Sequence, residues 1–179
     1  MKPGVFLDRD GVINDHRHYI NGPDDFYLFP QAPKAIAALN QANLFVGVVT
    51  NQGGVGLGYL SQLSLQAIHE KMTTLLAEEG AYLDDIMYCP HAPKEGCDCR
   101  KPKPGMIELL AKRHELDLAR SYMVGDRDVD ILAGQAAGCK TIFVGGGTLP
   151  SRVVPNAHVA DIAAAVDWIL RDAGQTQLS

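Results

Sequence analysis

The chain has 179 residues, of which 46% are apolar and 21% are charged, as is typical of a soluble globular protein. Its formal net charge is −5 and it has neither a basic run nor an arginine stripe, so we expect no nucleic-acid partner. It has no signal-peptide pattern and no apolar run long enough to cross a membrane, which predicts a cytoplasmic protein with no membrane partner.

Short apolar runs alternate along the chain with segments whose apolar residues recur at helical spacing. The predicted strands are residues 5–7, 44–49, 86–88, 122–124 and 141–144. The predicted helices are residues 32–42, 63–79, 105–114, 130–137 and 162–170. This alternation predicts an α/β fold, a Rossmann-like doubly wound and mainly parallel sheet with helices on both faces.

The sequence favours a single domain over residues 1–179, and a monomer, because no strongly apolar surface stripe is evident. Residues 14–29 and 53–62 match neither period and are expected to form loops beside the ends of the first two strands. The N-caps are expected at Ser61 or Ser64 and at Asp161, and the tail from Gly174 is expected to fray.

Polar groups follow several predicted strands. Asp8 and Asp10 come after the first strand, Thr50 after the second and Asp126 after the fourth. The carboxyl ends of parallel strands meet at one edge of the sheet, so these groups should converge. Crowded carboxylates need a cation, and hard oxygen ligands suit Mg²⁺. Carboxylates, a hydroxyl and a nearby lysine are what phosphoryl transfer requires, with a carboxylate as the nucleophile and an aspartyl-phosphate intermediate.

Four motifs occur in a characteristic order: Asp8-Arg9-Asp10-Gly11-Val12, Thr50, Lys101-Pro102 and Gly125-Asp126. In these four motifs and their order, the chain resembles the haloacid dehalogenase (HAD) superfamily of phosphatases. The resemblance implies that Asp8 attacks phosphorus and that Asp10 protonates the leaving group and then activates water. It implies that Thr50 binds a phosphoryl oxygen and that Lys101 neutralises the nucleophile. Mg²⁺ would be held by Asp8, the Asp10 carbonyl oxygen and Asp126.

Three cysteines and a histidine form a second cluster: Cys89, His91, Cys97 and Cys99. Three thiolates and one imidazole complete the tetrahedral shell of a structural Zn²⁺ and leave no open position for water. The alternative is a group of reduced, buried thiols without metal. Because Cys99 leads directly into Arg100 and Lys101, a zinc loop here would position the motif lysine.

The strings LDRDGVIN, VVTNQGGVGLG and CPHAPKEGCDCRKPKPGM resemble one branch of the superfamily, which holds heptose-bisphosphate phosphatases and histidinol-phosphate phosphatases. The branch implies removal of the C7 phosphate from a D-glycero-D-manno-heptose 1,7-bisphosphate in lipopolysaccharide precursor synthesis. It implies a substrate site built from His16, Arg17, His18, Tyr19, Asn51, Gln52, Gly53, Arg100 and Arg127. The alternatives are histidinol phosphate or another small phosphate ester as substrate and, in a different class, an inactive zinc-stabilised binding protein.

Several assignments stay open at this point. Lys103 competes with Lys101, although the Lys-Pro alignment favours Lys101. Asp130 either supports the metal or caps the helix that it opens. Cys139 is expected to be a buried thiol, and His69 is expected on a surface or helix face without a partner, as are two further histidines. Only 40 residues separate Asp10 from Thr50, too few for a large cap domain, so loops should cover the site.

Overall fold

The computed structural model describes residues 1–174, so the fraying predicted for the tail lies largely outside the described residues. Six strands form one sheet: β1 (Gly4–Leu7), β2 (Phe45–Asn51), β3 (Asp85–Cys89), β4 (Tyr122–Gly125), β5 (Lys140–Val144) and β6 (Ala157–Val159). Within residues 1–174, five α-helices connect or follow them: α1 (Ala32–Gln41), α2 (Gln62–Glu78), α3 (Gly105–His114), α4 (Asp128–Ala137) and α5 (Ile162–Asp172). Two 3₁₀ turns lie at Pro23–Asp25 and Leu118–Arg120.

The strand order places the predicted site. All pairs are parallel and the order is β3-β2-β1-β4-β5-β6, so β1 lies inside the sheet. The chain runs outward through β2 and β3, and then continues on the other side of β1 with β4. Ligands of open α/β sheets bind outside the carboxyl ends of the strands where the order reverses. Here that crevice lies beyond β1 and β4, the strands that Asp8 and Asp126 follow.

Helices cover both faces of the sheet, as the sequence predicted. One core cluster packs α1, α2 and α5 against the sheet, with Ile36, Met72 and Ile169 fully buried. A second cluster packs α3 against the opposite face through Met106 and Leu110. Burying a side chain of this size stabilises the fold by roughly 1.5–3 kcal/mol. Every residue of β1 is buried, so the strand that carries the motif acids is fixed between two packed layers.

The predicted elements all form, with ends that differ by a few residues, and Ser61 and Asp161 do cap their helices. Two differences matter for the site: β2 continues through Thr50 to Asn51, and α4 begins at Asp128 rather than Asp130. The edge strand β6 was not predicted. Within the described chain, the segments after β1 and β2 are loops with one 3₁₀ turn, so no large cap domain covers the crevice. None of the described helices has the length and hydropathy needed to span a bilayer.

Candidate active site

Three carboxylates meet where the strand order reverses. Asp8 directly follows β1, Asp126 directly follows β4, and Asp130 lies in the first turn of α4. One oxygen of each lies within 4.8 Å of the others, and Asp8 and Asp130 are buried. Buried acids this close repel one another, so the cluster needs cationic partners.

Lys101 supplies one of these cations. Its Nζ lies 2.9 Å from Asp8 Oδ1 and 2.6 Å from Asp130 Oδ1, and it donates to the Val49 carbonyl oxygen at 2.8 Å. Burial disfavours the ammonium charge, but the charges of Asp8 and Asp130 outweigh it and raise the pKa of Lys101 above its usual value. Lys103, the competing lysine, is exposed on a surface loop. The structure therefore brings Lys101, and not Lys103, to the carboxylates.

One lysine leaves the cluster short of positive charge. Burial and the charge of Asp130 raise the pKa of Asp8 to about 6, although Lys101 opposes the shift. Burial and the charge of Asp8 likewise raise the pKa of Asp126 to about 6. The buried Asp126 Oδ1 accepts no hydrogen bond from the described residues. An unpartnered oxygen beside crowded carboxylates fits a hard divalent cation, so the residues present suit a magnesium ion.

Gly11 lets the backbone of the first motif approach Asp126 closely. Its φ of +81° lies in the left-handed region, which favours glycine. A Cβ at this position would lie 2.0 Å from Asp126 Oδ2 and 3.0 Å from His16 Cε1. Only glycine therefore leaves the Asp126 carboxylate where it is.

Asp10 lies in a different environment from the other motif acid. Its Oδ1 accepts hydrogen bonds from Arg9 Nε (3.1 Å), Arg9 Nη2 (2.8 Å) and Asn14 Nδ2 (3.0 Å). Its Oδ2 accepts from Gln52 Nε2 at 3.1 Å, and the same amide donates to Thr50 Oγ1 at 2.9 Å. Burial alone would raise the pKa of Asp10, but the Arg9 charge and these hydrogen bonds lower it below its usual value.

Asn51, predicted to bind substrate, also bonds to the backbone of Lys101. Its Oδ1 accepts from the Lys101 backbone N–H at 3.0 Å, and its Nδ2 donates to the Lys101 carbonyl oxygen at 3.1 Å. These two hydrogen bonds join the end of β2 to the loop that carries the lysine. Asn51 therefore holds Lys101 in place.

Asp130 caps the helix that it opens, one of the two roles that the sequence left open, and its other oxygen pairs with Lys101. Its Oδ2 accepts from the Arg127 backbone N–H at 3.1 Å, which caps the start of α4. Its Oδ1 faces Lys101, and it belongs to the carboxylate cluster. One side chain therefore fixes the helix start and pairs with Lys101.

The predicted substrate segments line a cavity of about 500 Å³ beside the carboxylates. They contribute His16, Arg17, His18, Tyr19, Asn51, Gln52 and Gly53. A smaller cavity of about 130 Å³ is lined by Asp8, Lys101, Asp126 and Arg127. Asp10, His16 and Asn51 line both, so the two cavities adjoin.

Two of the predicted cationic groups, Arg17 and Arg100, lie near the larger cavity. The Arg17 side chain is 82% exposed and pairs with Asp15. Arg100 donates to the His91 carbonyl oxygen at 3.2 Å, and its Nη1 would be 3.0 Å from a Cβ at Gly53. Arg100 therefore lies between the cysteine segment and the loop after β2, beside the larger cavity.

Sequence reasoning missed Arg9 and gave His69 no partner. Arg9 carries one of the largest fully buried side chains of the protein, although it stands between the two motif acids. Its Nη1 lies 3.1 Å from Nε2 of His69, which is buried in α2 rather than solvent-facing. No local pattern marks this pair, because the two residues lie 60 positions apart in the chain.

The second predicted cluster also assembles. Cys89 ends β3, and His91, Cys97 and Cys99 follow in the next loop, with all four ligand atoms within 4.8 Å. The Cys89 and Cys97 sulfurs are 3.6 Å apart, and His91 Nδ1 lies 3.2 Å from Cys99 Sγ. All three cysteines are free thiols. Three thiols and one imidazole gathered without a disulfide fit a closed tetrahedral Zn²⁺ site. We call residues 89–101 the zinc loop.

Comparison with known proteins agrees with this geometry. The sequence model of the HAD-hydrolase-like family matches residues 98–172. D-glycero-β-D-manno-heptose-1,7-bisphosphate 7-phosphatase of Pseudomonas aeruginosa is 43% identical over 167 residues, which cover 90% of this chain and 94% of the relative. The enzyme of the same name from Bordetella bronchiseptica is 40% identical over 176 residues, 94% of this chain and 98% of the relative.

A solved structure is similar over almost the whole chain. It is the D,D-heptose 1,7-bisphosphate phosphatase of B. bronchiseptica complexed with magnesium and phosphate, with a TM-score of 0.85 and 40% identity. The match covers 97% of this chain and 100% of the other. The fold, the carboxylate–lysine cluster and these relatives show that the chain belongs to the D-glycero-β-D-manno-heptose-1,7-bisphosphate 7-phosphatase family of HAD-like hydrolases.

Proposed function

We propose that the protein is a magnesium-dependent phosphatase that removes the C7 phosphate of D-glycero-β-D-manno-heptose 1,7-bisphosphate in lipopolysaccharide precursor synthesis. The observation that carries the proposal is the buried Asp8, held 2.9 Å from Lys101 where the strand order reverses. The family supports the substrate, because its members are named for this reaction. The solved relative with bound magnesium and phosphate supports the metal.

In the first step, a carboxylate oxygen of Asp8 attacks the phosphorus of the C7 phosphate. A bond forms between Asp8 and phosphorus, and the bond from phosphorus to the sugar oxygen breaks. Lys101 holds Asp8 in line and offsets negative charge on the transferring group. Thr50, at the end of β2, donates its hydroxyl hydrogen to a phosphoryl oxygen. When bound between Asp8, Asp126 and the Asp10 carbonyl oxygen, Mg²⁺ supplies the remaining positive charge that lets a phosphate dianion approach these carboxylates.

Asp10 moves the proton in both steps. In its acid form it gives the proton to the leaving C7 oxygen, which departs as the sugar alcohol. The resulting carboxylate then takes a proton from a water molecule whose oxygen attacks the phosphorus of the aspartyl phosphate. This breaks the bond to Asp8, releases inorganic phosphate and returns both acids to their starting states.

The cavity beside the acids suits a substrate with a second anionic group. Its volume is about 500 Å³, and its walls include His16, Arg17 and His18. Arg100 lies at its rim, and Arg127 lines the smaller cavity. A second phosphate gives binding energy that can be used in the transition state, so a bisphosphate should be preferred to a cationic monophosphate such as histidinol phosphate.

Steady-state kinetics with Mg²⁺ test the proposal. We expect kcat/KM for the heptose bisphosphate to exceed that for histidinol phosphate by at least about tenfold, since one additional charge-assisted contact contributes about 1.5–3 kcal/mol. Equal values for the two esters would contradict the assignment of substrate. Absence of Mg²⁺-dependent hydrolysis with any phosphate ester would instead favour a zinc-stabilised binding protein.

We further propose that one domain carries the whole reaction and that the protein works as a monomer in the cytoplasm. One chain contributes every residue used above, which supports the monomer. Three free thiols gathered at a metal-type site suit a reducing compartment. Sedimentation velocity of the purified protein tests the oligomeric state, and a dimer at micromolar concentration would contradict it.

A further inference from the structure

A buried chain of polar side chains connects helix α2 to the proposed general acid. The Arg9 side chain is 2% exposed, and its Nε and Nη2 both donate to Asp10 Oδ1. Nη1 of the same guanidinium lies 3.1 Å from Nε2 of His69, 60 residues further along the chain. The Phe26 ring covers the guanidinium, with its centroid 5.9 Å from Arg9 Cζ. The proposed reaction uses neither Arg9 nor His69, so this arrangement needs a separate account.

The contact with Arg9 determines the form of His69. A guanidinium offers only donors and stays protonated, so Nε2 must accept and the ring proton must be on Nδ1. A doubly protonated ring would place a second cation against Arg9 in a buried site. In keeping with this geometry, burial and the Arg9 charge lower the pKa of His69 to about 4. His69 is therefore a neutral acceptor for Arg9 at neutral pH.

The same network distinguishes the two oxygens of Asp10. Oδ1 accepts three N–H groups, two from Arg9 and one from Asn14, which leaves no room for a proton. Among the described residues, Oδ2 accepts only from Gln52. A proton carried by Asp10 must therefore be on Oδ2.

We propose that His69 positions the general acid: by holding Arg9 Nη1, it keeps the other guanidinium N–H groups on Asp10 Oδ1 and leaves Oδ2 to carry the proton to the leaving alcohol. The inference rests on the proposed phosphatase function. Without an acceptor for Nη1, Arg9 can turn and pair with both oxygens of Asp10, as a guanidinium and a carboxylate prefer. Both oxygens of Asp10 would then accept N–H groups of Arg9, and Oδ2 would no longer be open to exchange a proton with the leaving alcohol.

The leaving group separates positioning from a general structural effect. The sugar oxygen of the heptose bisphosphate needs a proton to depart, whereas the phenolate of 4-nitrophenyl phosphate leaves without one. The comparison uses kcat/KM, because this constant covers the steps up to departure of the leaving group and omits hydrolysis of the shared intermediate. The variants are His69→Leu, which removes the acceptor, and His69→Gln, whose amide oxygen replaces it. His114→Leu is the matched control, since His114 pairs with Asp85 at the opposite end of β3.

We expect His69→Leu to lower kcat/KM for the sugar substrate by about 10- to 100-fold, a part of the full contribution of a general acid, and to change the aryl substrate by less than about threefold. His69→Gln should recover most of the loss, and His114→Leu should show none. Equal losses on both substrates, or no loss on either, would overturn the positioning role.

A second measurement on the wild-type protein does not depend on the variants folding. NMR of protein labelled with ¹⁵N-histidine should show His69 neutral at pH 7, with its proton on Nδ1. A proton on Nε2 would overturn the inference. If the wild-type protein hydrolyses neither ester with Mg²⁺, the proposed function fails, while the tautomer still tests the pairing of His69 with Arg9.

Discussion

Replacing Gly11 by alanine tests whether Asp126 must stay where it is to hold magnesium. The new Cβ would lie 2.0 Å from Asp126 Oδ2, and ordinary contact begins at 3.4 Å, so the carboxylate must retreat by about 1.4 Å, the difference between the two. The left-handed φ of +81° adds strain of about 1–2 kcal/mol. Mg²⁺ demands near-ideal octahedral geometry with oxygens at about 2.0–2.1 Å, so a ligand displaced this far is lost. We expect magnesium affinity to fall at least about tenfold.

Gly80→Ala is the matched control for this experiment. Gly80 has a φ of +76°, and nothing lies within 4 Å of its added Cβ, so it shares the strain without the clash. Titration calorimetry with MgCl₂ gives the affinity, and thermal unfolding with and without Mg²⁺ gives the linked stability. At 100 times the wild-type Kd, Mg²⁺ should stabilise the wild type and Gly80→Ala by about 2.7 kcal/mol, and Gly11→Ala by at most about 1.4 kcal/mol. Equal magnesium affinity in the two alanine variants would refute the reasoning.

Three further predictions concern other parts of the site. Lys101→Met should lower kcat/KM for the heptose bisphosphate by about 10²- to 10³-fold. Lys103 is exposed, so Lys103→Met should change this constant by less than about threefold. Similar losses in the two variants would contradict the assignment of Lys101 as the lysine of the site. Burial lowers the pKa of His69 from its usual 6.5 to about 4 in the folded protein. The free energy of unfolding should therefore be about 3 kcal/mol higher above pH 6.5, and this contribution is lost as the pH falls toward 4. His69→Gln should flatten that part of the pH profile of urea unfolding, and an unchanged slope would argue against the shift. Cys97→Ser should release the zinc, which a chromogenic chelator detects, and should lower phosphatase activity because Lys101 ends the zinc loop. Cys139→Ser is the control and should keep about one zinc per chain. Zinc loss with full activity would show that the loop is not coupled to catalysis.

The convergence of the motif acids was predictable because it follows from topology. Once alternating strands and helices indicate a parallel sheet, the residues after β1 and β4 must lie at the same edge of that sheet. The binding crevice forms at this edge, where the strand order reverses. Lys101 lies far along the chain, and its place in the Lys-Pro motif and directly after the cysteine segment pointed to the cluster. The helix caps could also be predicted from neighbouring residues. Ser61 or Ser64 was expected to cap α2 and Asp161 to cap α5, and Ser61 and Asp161 accept the N–H group that a cap requires.

The features that could not be predicted depend on contacts that leave no local pattern in the sequence. The contact between Arg9 and His69 joins residues 60 positions apart, and neither belongs to a periodic signal that distinguishes a partner. Asn51 stands next to a motif residue, where a ligand contact and a backbone clamp on Lys101 look the same in sequence. The edge strand β6 has only three residues, all at least partly exposed, so it lacks the buried face that alternation detects.

The central claim is that Asp8 takes the C7 phosphate of a heptose bisphosphate. Its most direct test is ³¹P NMR of D-glycero-β-D-manno-heptose 1,7-bisphosphate incubated with the protein and Mg²⁺, beside Asp8→Asn, which keeps the size of the side chain but removes the nucleophile. We predict that the C7 phosphate signal is replaced by that of inorganic phosphate while the C1 signal persists, and that Asp8→Asn leaves both phosphates in place. Release of the C1 phosphate, or full activity of Asp8→Asn, would contradict the account.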